Sequence, residues 1–170
     1  MKRAVVLLFA LCMTFVFSGC DLFKVPDQGG MEKPTAVFDF SSTDINGDPI
    51  ALSDFSDRKV IMLNLWETWC PPCVGEIPDL VKLYEKYSGD GFVIIGAFGS
   101  SESDSVKSMI TELGITYPVM EQTSSMKQFE SGYVPTTVFF DGEGNRLSQS
   151  YVGAKSCEEW ESIILGLLEK

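Results

Sequence analysis

The chain has 170 residues, 24 Asp and Glu against 13 Lys and Arg, a formal charge of −11, five cysteines and no histidine. That is enough chain for one domain with a real core, and the acidic balance leaves no basic field for gripping phosphates, which argues against nucleic-acid binding. The missing histidine excludes Ser-His-Asp and Cys-His catalysis, imidazole metal ligation and a histidine proton shuttle, so acid–base work falls to carboxylates, thiols, Lys or Tyr. Cys12, Cys20, Cys70, Cys73 and Cys157 are too unevenly placed for a disulfide framework and are read one at a time.

Lys2 and Arg3 precede an apolar run from Ala4 to Phe17, too short to cross a hydrocarbon core of about 30 Å as a helix. A basic start, a short apolar stretch and small residues before a cut site read as a signal peptide over residues 1–19. Phe17-Ser18-Gly19-Cys20 resembles the bacterial lipoprotein box, with Phe17 where Leu is usual, so Cys20 is expected to be lipidated and to become the first residue of the mature protein. A plain secretory signal or an uncleaved anchor are the alternatives. Each buried lipid CH₂ contributes about 0.8 kcal/mol, so the expected location is extracytoplasmic, on the periplasmic side or outer face of the cytoplasmic membrane, with a lipid anchor holding the chain to the membrane. Asp21 directly after the cysteine resembles an inner-membrane retention signal of some Gram-negative bacteria. Residues 20–33, with Pro26, Gly29 and Gly30, read as a flexible tether spanning on the order of 20 Å. Residues 34–170 then form one domain, and Cys12 leaves with the signal.

Within that domain, Ala36 to Phe40 and Pro49 to Leu52 are strand-like runs on either side of Asn46-Gly47, a dipeptide suited to a tight hairpin, and Ser53 is placed to cap a helix. Lys59 to Trp66 and Phe92 to Phe98 are nearly continuous apolar runs, as in strands covered on both faces. Between them Pro71 to Tyr87 sets Ile77, Leu80, Val81 and Tyr84 on one helical face, and Val106, Met109, Ile110 and Leu113 repeat the spacing in a second helix. Thr136 to Phe140 is a further strand, turning through Asp141 to Asn145 into Arg146 to Val152. Ser156 and Glu159 form a capping box for a last helix with the stripe Trp160, Ile163, Ile164, Leu167 and Leu168. Alternating strands and helices predict an α/β fold, a central mixed sheet with helices on both faces.

Trp69-Cys70-Pro71-Pro72-Cys73 stands where a buried strand hands over to a helix. With Pro71 and Pro72 in the first turn, where their missing N–H groups cost least, Cys70 lies near the cap and Cys73 one turn in. The positive end of the helix favours thiolate at Cys70. The pattern fits a reversible disulfide: Cys70 attacks a substrate disulfide and Cys73 resolves the mixed disulfide. Half a zinc site, with only Cys157 left as a soft donor, a purely structural disulfide and a chance pair are the competing readings. Cys157 lies on the apolar stripe of the last helix and reads as a small buried filler. Glu67 reads as surface charge on the loop.

The hairpin from Phe38-Asp39-Phe40 to Leu52-Ser53-Asp54-Phe55, the run Asn64 to Cys73, Glu76 with Pro78, and Gly132-Tyr133-Val134-Pro135-Thr136-Thr137 together resemble the TlpA/ResA group of membrane-tethered thioredoxin-like proteins, in the redoxin (AhpC/TSA-like) branch. The resemblance runs from Pro34 to the last helix. It implies a thioredoxin fold with an N-terminal β-hairpin and a helix insertion. It assigns Cys70 as the attacking and Cys73 as the resolving cysteine, Pro135 as the cis-proline facing the dithiol, and Val134 as the backbone that pairs with a substrate chain. Trp69 joins that substrate-facing surface. Glu76 matches the group's active-site glutamate, three residues after Cys73 and on the same helix face, where a carboxylate moves protons to or from the thiol. Asn64 stands where thioredoxin has a buried aspartate, and being unable to titrate it shifts that burden to Glu76.

The resemblance further implies a reductase of protein disulfides, with apocytochrome c as a substrate, a membrane thiol carrier of the DsbD/CcdA type as electron source, and no cofactor beyond the Cys70–Cys73 dithiol. Electron donation to an oxidised partner such as a methionine sulfoxide reductase, a peroxiredoxin-like peroxidase, and a non-catalytic thioredoxin-fold binding module are the other readings. Pro71-Pro72 offers neither charge nor N–H donors to a thiolate, which predicts a reducing dithiol with a potential below about −200 mV.

Overall fold

The computed structural model describes residues 37–170. The signal peptide, Cys20 and the tether expected over residues 1–33 lie outside the described residues. Among the described residues no helix is long and apolar enough to cross a membrane.

A two-stranded hairpin, β1 (Ser41–Thr43) and β2 (Pro49–Ala51), leads into β3 (Val60–Leu65), α1 (Pro71–Tyr87), β4 (Phe92–Phe98), α2 (Ser103–Leu113), β5 (Val119–Glu121), β6 (Thr136–Phe140), β7 (Tyr151–Val152) and α3 (Cys157–Leu168). The main sheet has the order β5-β4-β3-β6-β7. In it β3 runs parallel to β4 and antiparallel to β6, with Asn64 opposite Gly96 on one side and Thr137 on the other. This is the predicted α/β fold with a mixed sheet. The expected helix insertion is α2 with β5, which adds a parallel strand beyond β4.

Both central strands are buried along their whole length, which is why they read as unbroken apolar runs instead of alternating ones. Pleating nevertheless sorts their side chains. Val60, Met62, Trp66, Phe92 and Ile94 face one layer, where they meet Ile77, Leu80 and Leu83 of α1, Val106 of α2, and Trp160 and Ile164 of α3. Ile61, Leu63, Leu65, Val93, Ile95 and Ala97 face the other, where Phe38, Phe40, Ile50, Leu52, Met126 and Phe129 cover them. All three α-helices therefore lie on one side. The expectation of helices on both faces is met only by 3₁₀ turns at Leu52–Phe55 and Ser124–Phe129, because those segments are too short to carry a helical stripe and bury isolated large side chains instead.

The N-terminal region also departs from the expected boundaries. Residues 37–40 are extended but unpaired, and the strand begins only at Ser41, opposite Ala51. The Phe38 and Phe40 side chains turn inward, with the Phe38 ring stacked on Phe140 at 4.4 Å. Phe38 donates its amide to Gly144 O at 3.0 Å, while Phe40 O accepts from Leu52 N at 3.1 Å. The Asn46-Gly47 turn is wider than a two-residue hairpin: the Asp44 carboxylate accepts from the amides of Asn46 and Asp48 at 2.8 and 2.9 Å, and only Gly47 is left-handed. Ser53 does not cap a helix; it lies inside the first 3₁₀ turn, where the Asp54 carboxylate accepts from Ala51 N at 2.8 Å. The strand expected over residues 146–152 is interrupted: Arg146 pairs with Phe140 as an isolated antiparallel bridge, and Leu147 N donates to Phe139 O at 2.8 Å. The Arg146 side chain donates to Ser148 O at 2.7 Å and Ser150 Oγ at 3.0 Å, and regular strand resumes only at Tyr151–Val152. The capping box of Ser156 and Glu159 is present as predicted.

Gly144 ties this region together. Its φ of +82° suits glycine, and a Cβ there would run into the Phe38 carbonyl. Gly144→Ala is expected to lower stability by about 2 kcal/mol or more, read as a lower urea midpoint at unchanged slope; an unaltered midpoint would show that residues 37–40 do not rest on the 141–145 turn.

Candidate active site

The end of β3 delivers the chain to the start of α1, and the sequence explains why the helix begins there. Pro71 and Pro72 fill its first two positions, with Cys70 as the extended N-cap residue at φ −99° and ψ 102°. The cap is a sulfur: Cys70 Sγ accepts from the Cys73 amide at 3.3 Å. Cys70 and Cys73 are joined as a disulfide with their Cα atoms 5.3 Å apart. Cys70 is 4% exposed and Cys73 fully buried, so the N-terminal sulfur is the one nearer solvent.

Facing the disulfide is the loop before β6. The Val134–Pro135 peptide bond is cis, and the Val134 carbonyl oxygen lies 3.5 Å from Cys70 Sγ. Thr136 Oγ1 donates to Tyr133 O at 2.7 Å, and the Ser131 and Thr136 hydroxyls pair at 2.8 Å, closing the loop on itself. Pro135 O accepts from Gly153 N at 2.9 Å. The structure thus brings together Cys70, Cys73, Val134 and Pro135, residues that the resemblance assigns to the site. Trp69 stands beside them, 64% exposed, with Tyr133 at 74% across a cleft of about 460 Å³ also lined by Leu65, Ser100, Gln122 and Val134.

Glu76 is 3% exposed, beneath the dithiol on the same face of α1 as Cys73. Its Oε1 accepts from Asn64 Nδ2 at 3.1 Å, and its Oε2 from Trp160 Nε1 at 3.1 Å and the Lys155 amide at 3.3 Å. Asn64 Nδ2 also donates to Thr137 Oγ1 at 3.0 Å. Burial pushes the Glu76 carboxyl above the usual carboxylate range, against the pull of donors from Trp160, Asn64 and the Lys155 amide and of the Lys155 charge. The same carboxylate acts on its surroundings: burial, and then the nearby Glu76 charge, push the Tyr117 phenol far up.

Two expectations are corrected here. Glu67 is not surface charge: it is 5% exposed, and its carboxylate accepts from the amides of Gly99, Ser100 and Ser101, each at 2.8 Å, and from Ser101 Oγ at 2.5 Å. Burial opposes its ionisation, but the Ser101 hydroxyl and the three amides outweigh that and hold the carboxyl below the usual range. Cys157 is not a fully buried filler; it is half-buried, reduced and packed against the helical layer. Its thiol is pushed up by partial burial and by the charges of Asp79, Glu158 and Glu161, the opposite of an activated cysteine. Among the described residues no group of three or more Cys, Asp or Glu is placed to hold a metal ion, so the half-zinc reading of Cys70 and Cys73 finds no further ligands there.

Trp160 and Thr137 are members of the site that sequence reasoning places only in a helical stripe and a strand. The available signal is chemical: a buried indole N–H usually finds an acceptor, and Trp160 finds Glu76 on the facing helix, whereas the equally buried Trp66 Nε1 has none among the described residues.

The chain matches the AhpC/TSA family over residues 35–146. It belongs to that family. Within it the chain is 30% identical over 166 residues to the thiol-disulfide oxidoreductase ResA of Bacillus thuringiensis, across 93% of this chain and 94% of that protein. It is 27% identical over 156 residues to the thioredoxin-like protein YneN of Bacillus subtilis, across 89% and 91%. A thiol:disulfide interchange protein of the thioredoxin family from Chlorobium tepidum has a crystal structure that superposes with a TM-score of 0.71 at 30% identity, covering 79% of this chain and 97% of that one. A solution structure of a thioredoxin-like protein from Neisseria meningitidis, with a TM-score of 0.67 at 24% identity, shares the fold. The chain is a ResA-type thiol-disulfide oxidoreductase with a thioredoxin fold and a Cys70–Cys73 redox pair.

The raised Glu76 value has a thermodynamic consequence for this oxidoreductase. A carboxyl whose folded value lies above its unfolded value of 4.5 contributes its full stability below that pH and loses it as pH rises through the folded value. Glu76→Gln has no such loss. The stability of Glu76→Gln relative to wild type is therefore expected to climb as pH rises above 4.5 and to level off once Glu76 is ionised in the folded protein, as measured by urea unfolding of both proteins across a pH series; parallel curves would show that Glu76 titrates normally.

Proposed function

We propose that this oxidoreductase is an extracytoplasmic reductase of disulfides in other proteins, held to the membrane through lipidated Cys20. The observation that carries the reading is the placement of a buried carboxylate, Glu76, one helical turn beyond the buried sulfur that has to lose a proton. In the reduced protein the Cys70 thiolate, favoured by the helix N-terminus and the Cys73 amide, attacks one sulfur of a substrate disulfide. One substrate thiolate leaves and takes up a proton, and a Cys70–substrate disulfide forms. Glu76 then accepts the Cys73 proton, and the Cys73 thiolate attacks Cys70 Sγ, expelling the second substrate sulfur. The substrate gains two electrons and two protons, and the Cys70–Cys73 pair becomes the disulfide. A raised carboxyl value suits this exchange, because it brings the affinity of Glu76 for a proton nearer to that of a thiol.

The direction of electron flow follows from what surrounds Cys70. Strong oxidants hold their thiolate with several donors or a cation; here Pro71 and Pro72 have no N–H, and the Cys73 amide is the backbone donor on the sulfur. A weakly held thiolate gives a reducing pair. Substrates of the apocytochrome c class, whose haem-binding cysteines must be reduced before attachment, fit a surface-bound reductase, and a membrane thiol carrier of the DsbD/CcdA type would return the electrons. The names of the ResA relatives support the chemistry, and the sequence of residues 1–20 supports the anchor.

Redox equilibration of the soluble domain against thiol buffers is expected to give a potential below about −200 mV; a value near −120 mV would identify an oxidant instead. Cys73→Ser should accumulate a mixed disulfide through Cys70 when expressed in a cell assembling c-type cytochromes, with an apocytochrome as the captured chain, whereas Cys70→Ser should capture nothing. Capture of a methionine sulfoxide reductase in its place would reassign the partner while leaving the chemistry intact.

A further inference from the structure

Glu67 has a structural role that the redox chemistry does not use. All four acceptor directions of its carboxylate are occupied: Oε1 by the amides of Gly99 and Ser100, Oε2 by the amide and hydroxyl of Ser101. Such charge-assisted bonds are roughly twice as strong as neutral ones, and successive amides converging on one anion make a rigid cradle. A Cβ at Gly99 would sit 3.2 Å from Glu67 Oε1 and press on the carboxylate.

The next two residues are stitched to the same turn. Thr68 donates its amide and hydroxyl to Ser101 Oγ at 2.9 and 3.1 Å. Trp69 donates its indole N–H to Ser100 Oγ at 3.1 Å, and apart from that bond its ring is largely in solvent. Residues 67–69 are thus laced to residues 99–101 immediately before Cys70, by a carboxylate whose four donors all come from residues 99–101.

We infer that Glu67 is a positioning residue for substrate binding: by organising the turn at 99–101 it builds the support on which Trp69 rests, and so fixes the aromatic wall that a substrate protein meets beside Cys70. The inference rests on the reading of Trp69 and the Val134–Pro135 loop as the substrate-facing surface. A side chain held in its bound orientation gives up less freedom on binding, which corresponds to about three- to tenfold in affinity. The effect belongs in KM, because every acceptor direction of the Glu67 carboxylate is taken by residues 99–101 and none is left for the protons of the sulfurs.

The test uses the reduced protein with insulin as the protein disulfide and glutathione disulfide as a small comparator. Glu67→Gln keeps the shape but turns an NH₂ group toward an amide donor; Ser100→Ala keeps the cradle and removes only the acceptor of the indole. Both are expected to raise KM for insulin about three- to tenfold with kcat within about twofold, leaving the rate with glutathione disulfide and the redox potential as in wild type. Neither should add to the loss seen in Trp69→Ala, since all three act through one ring. Trp66 and Trp160 are fully buried, so iodide quenching reports on Trp69 and should increase in Glu67→Gln. A fall in kcat or a shifted potential alongside KM would overturn the inference in favour of a role at the sulfurs or in the fold. A raised KM in Trp69→Ala with neither Glu67→Gln nor Ser100→Ala affected would overturn the clamp alone. An unchanged KM in Trp69→Ala would overturn the substrate-facing reading and the clamp with it. Should Glu67→Gln fail to fold, Ser100→Ala decides the matter by the same readouts.

Discussion

Removing the Glu76 carboxylate from water, inside an otherwise apolar helical layer, is the constraint around which the active site is arranged. An ionisable group at 3% exposure is tolerable only if its oxygens find donors, and here they come from three places in the chain. Asn64 reaches it from β3, Trp160 from α3, and the Lys155 amide from the segment leading into α3. The last helix is thereby oriented on the active-site helix by a polar contact with direction, where apolar packing alone would leave its rotation loosely defined. Leaving one of these buried groups unpaired costs about 1–3 kcal/mol, so the arrangement that satisfies the carboxylate also specifies the packing.

Two glutamates nine residues apart in one loop-and-helix segment end with opposite properties. Both are nearly excluded from solvent. Glu67 meets four donors, three of them backbone amides held by a turn, and remains an anion. Glu76 meets three donors in a deeper setting and is pushed toward its neutral form. Desolvation acts on both; deeper burial with three donors raises one, and four donors under lighter burial lower the other. The lowered group sits in the turn that holds Trp69, and the raised one lies one helical turn beyond Cys73; the chain has no histidine in either place.

Much of the fold was legible because its signals are local. The spans Phe92–Phe98, Pro71–Tyr87 and Thr136–Phe140 follow from apolar runs, a Pro-Pro helix start and turn residues, and the structure places them as read. The Ser156–Glu159 capping box is likewise a matter of four consecutive residues. The misread segments are those governed by distant partners. Phe38 and Phe40 read as part of a strand-like run, yet the Phe38 ring is claimed by Phe140 and Phe129, the Phe40 ring by Phe38, and their backbone by Gly144 and Leu52. Ser53 has the chemistry of a cap, but the turn it joins is one 3₁₀ turn long, and Asp54 does the capping.

Residue type and spacing placed two cysteines at the start of a helix, prolines between them that supply no donors and a glutamate one turn further, while the parts of that glutamate and of the Val-Pro pair ahead of a strand were implied by the resemblance. These are choices of residue type at fixed spacing, and a helix turns spacing into proximity without help from the rest of the chain. The tertiary structure decided which of the two glutamates is poised to titrate and which is locked, brought Trp160 to Glu76 across 84 positions and Ser101 to Glu67 across 34, and set the Val134 carbonyl against Cys70. Burial and hydrogen-bond donors delivered from remote segments set a carboxyl group's proton affinity, and neither is a property of the residue or of its neighbours in the chain.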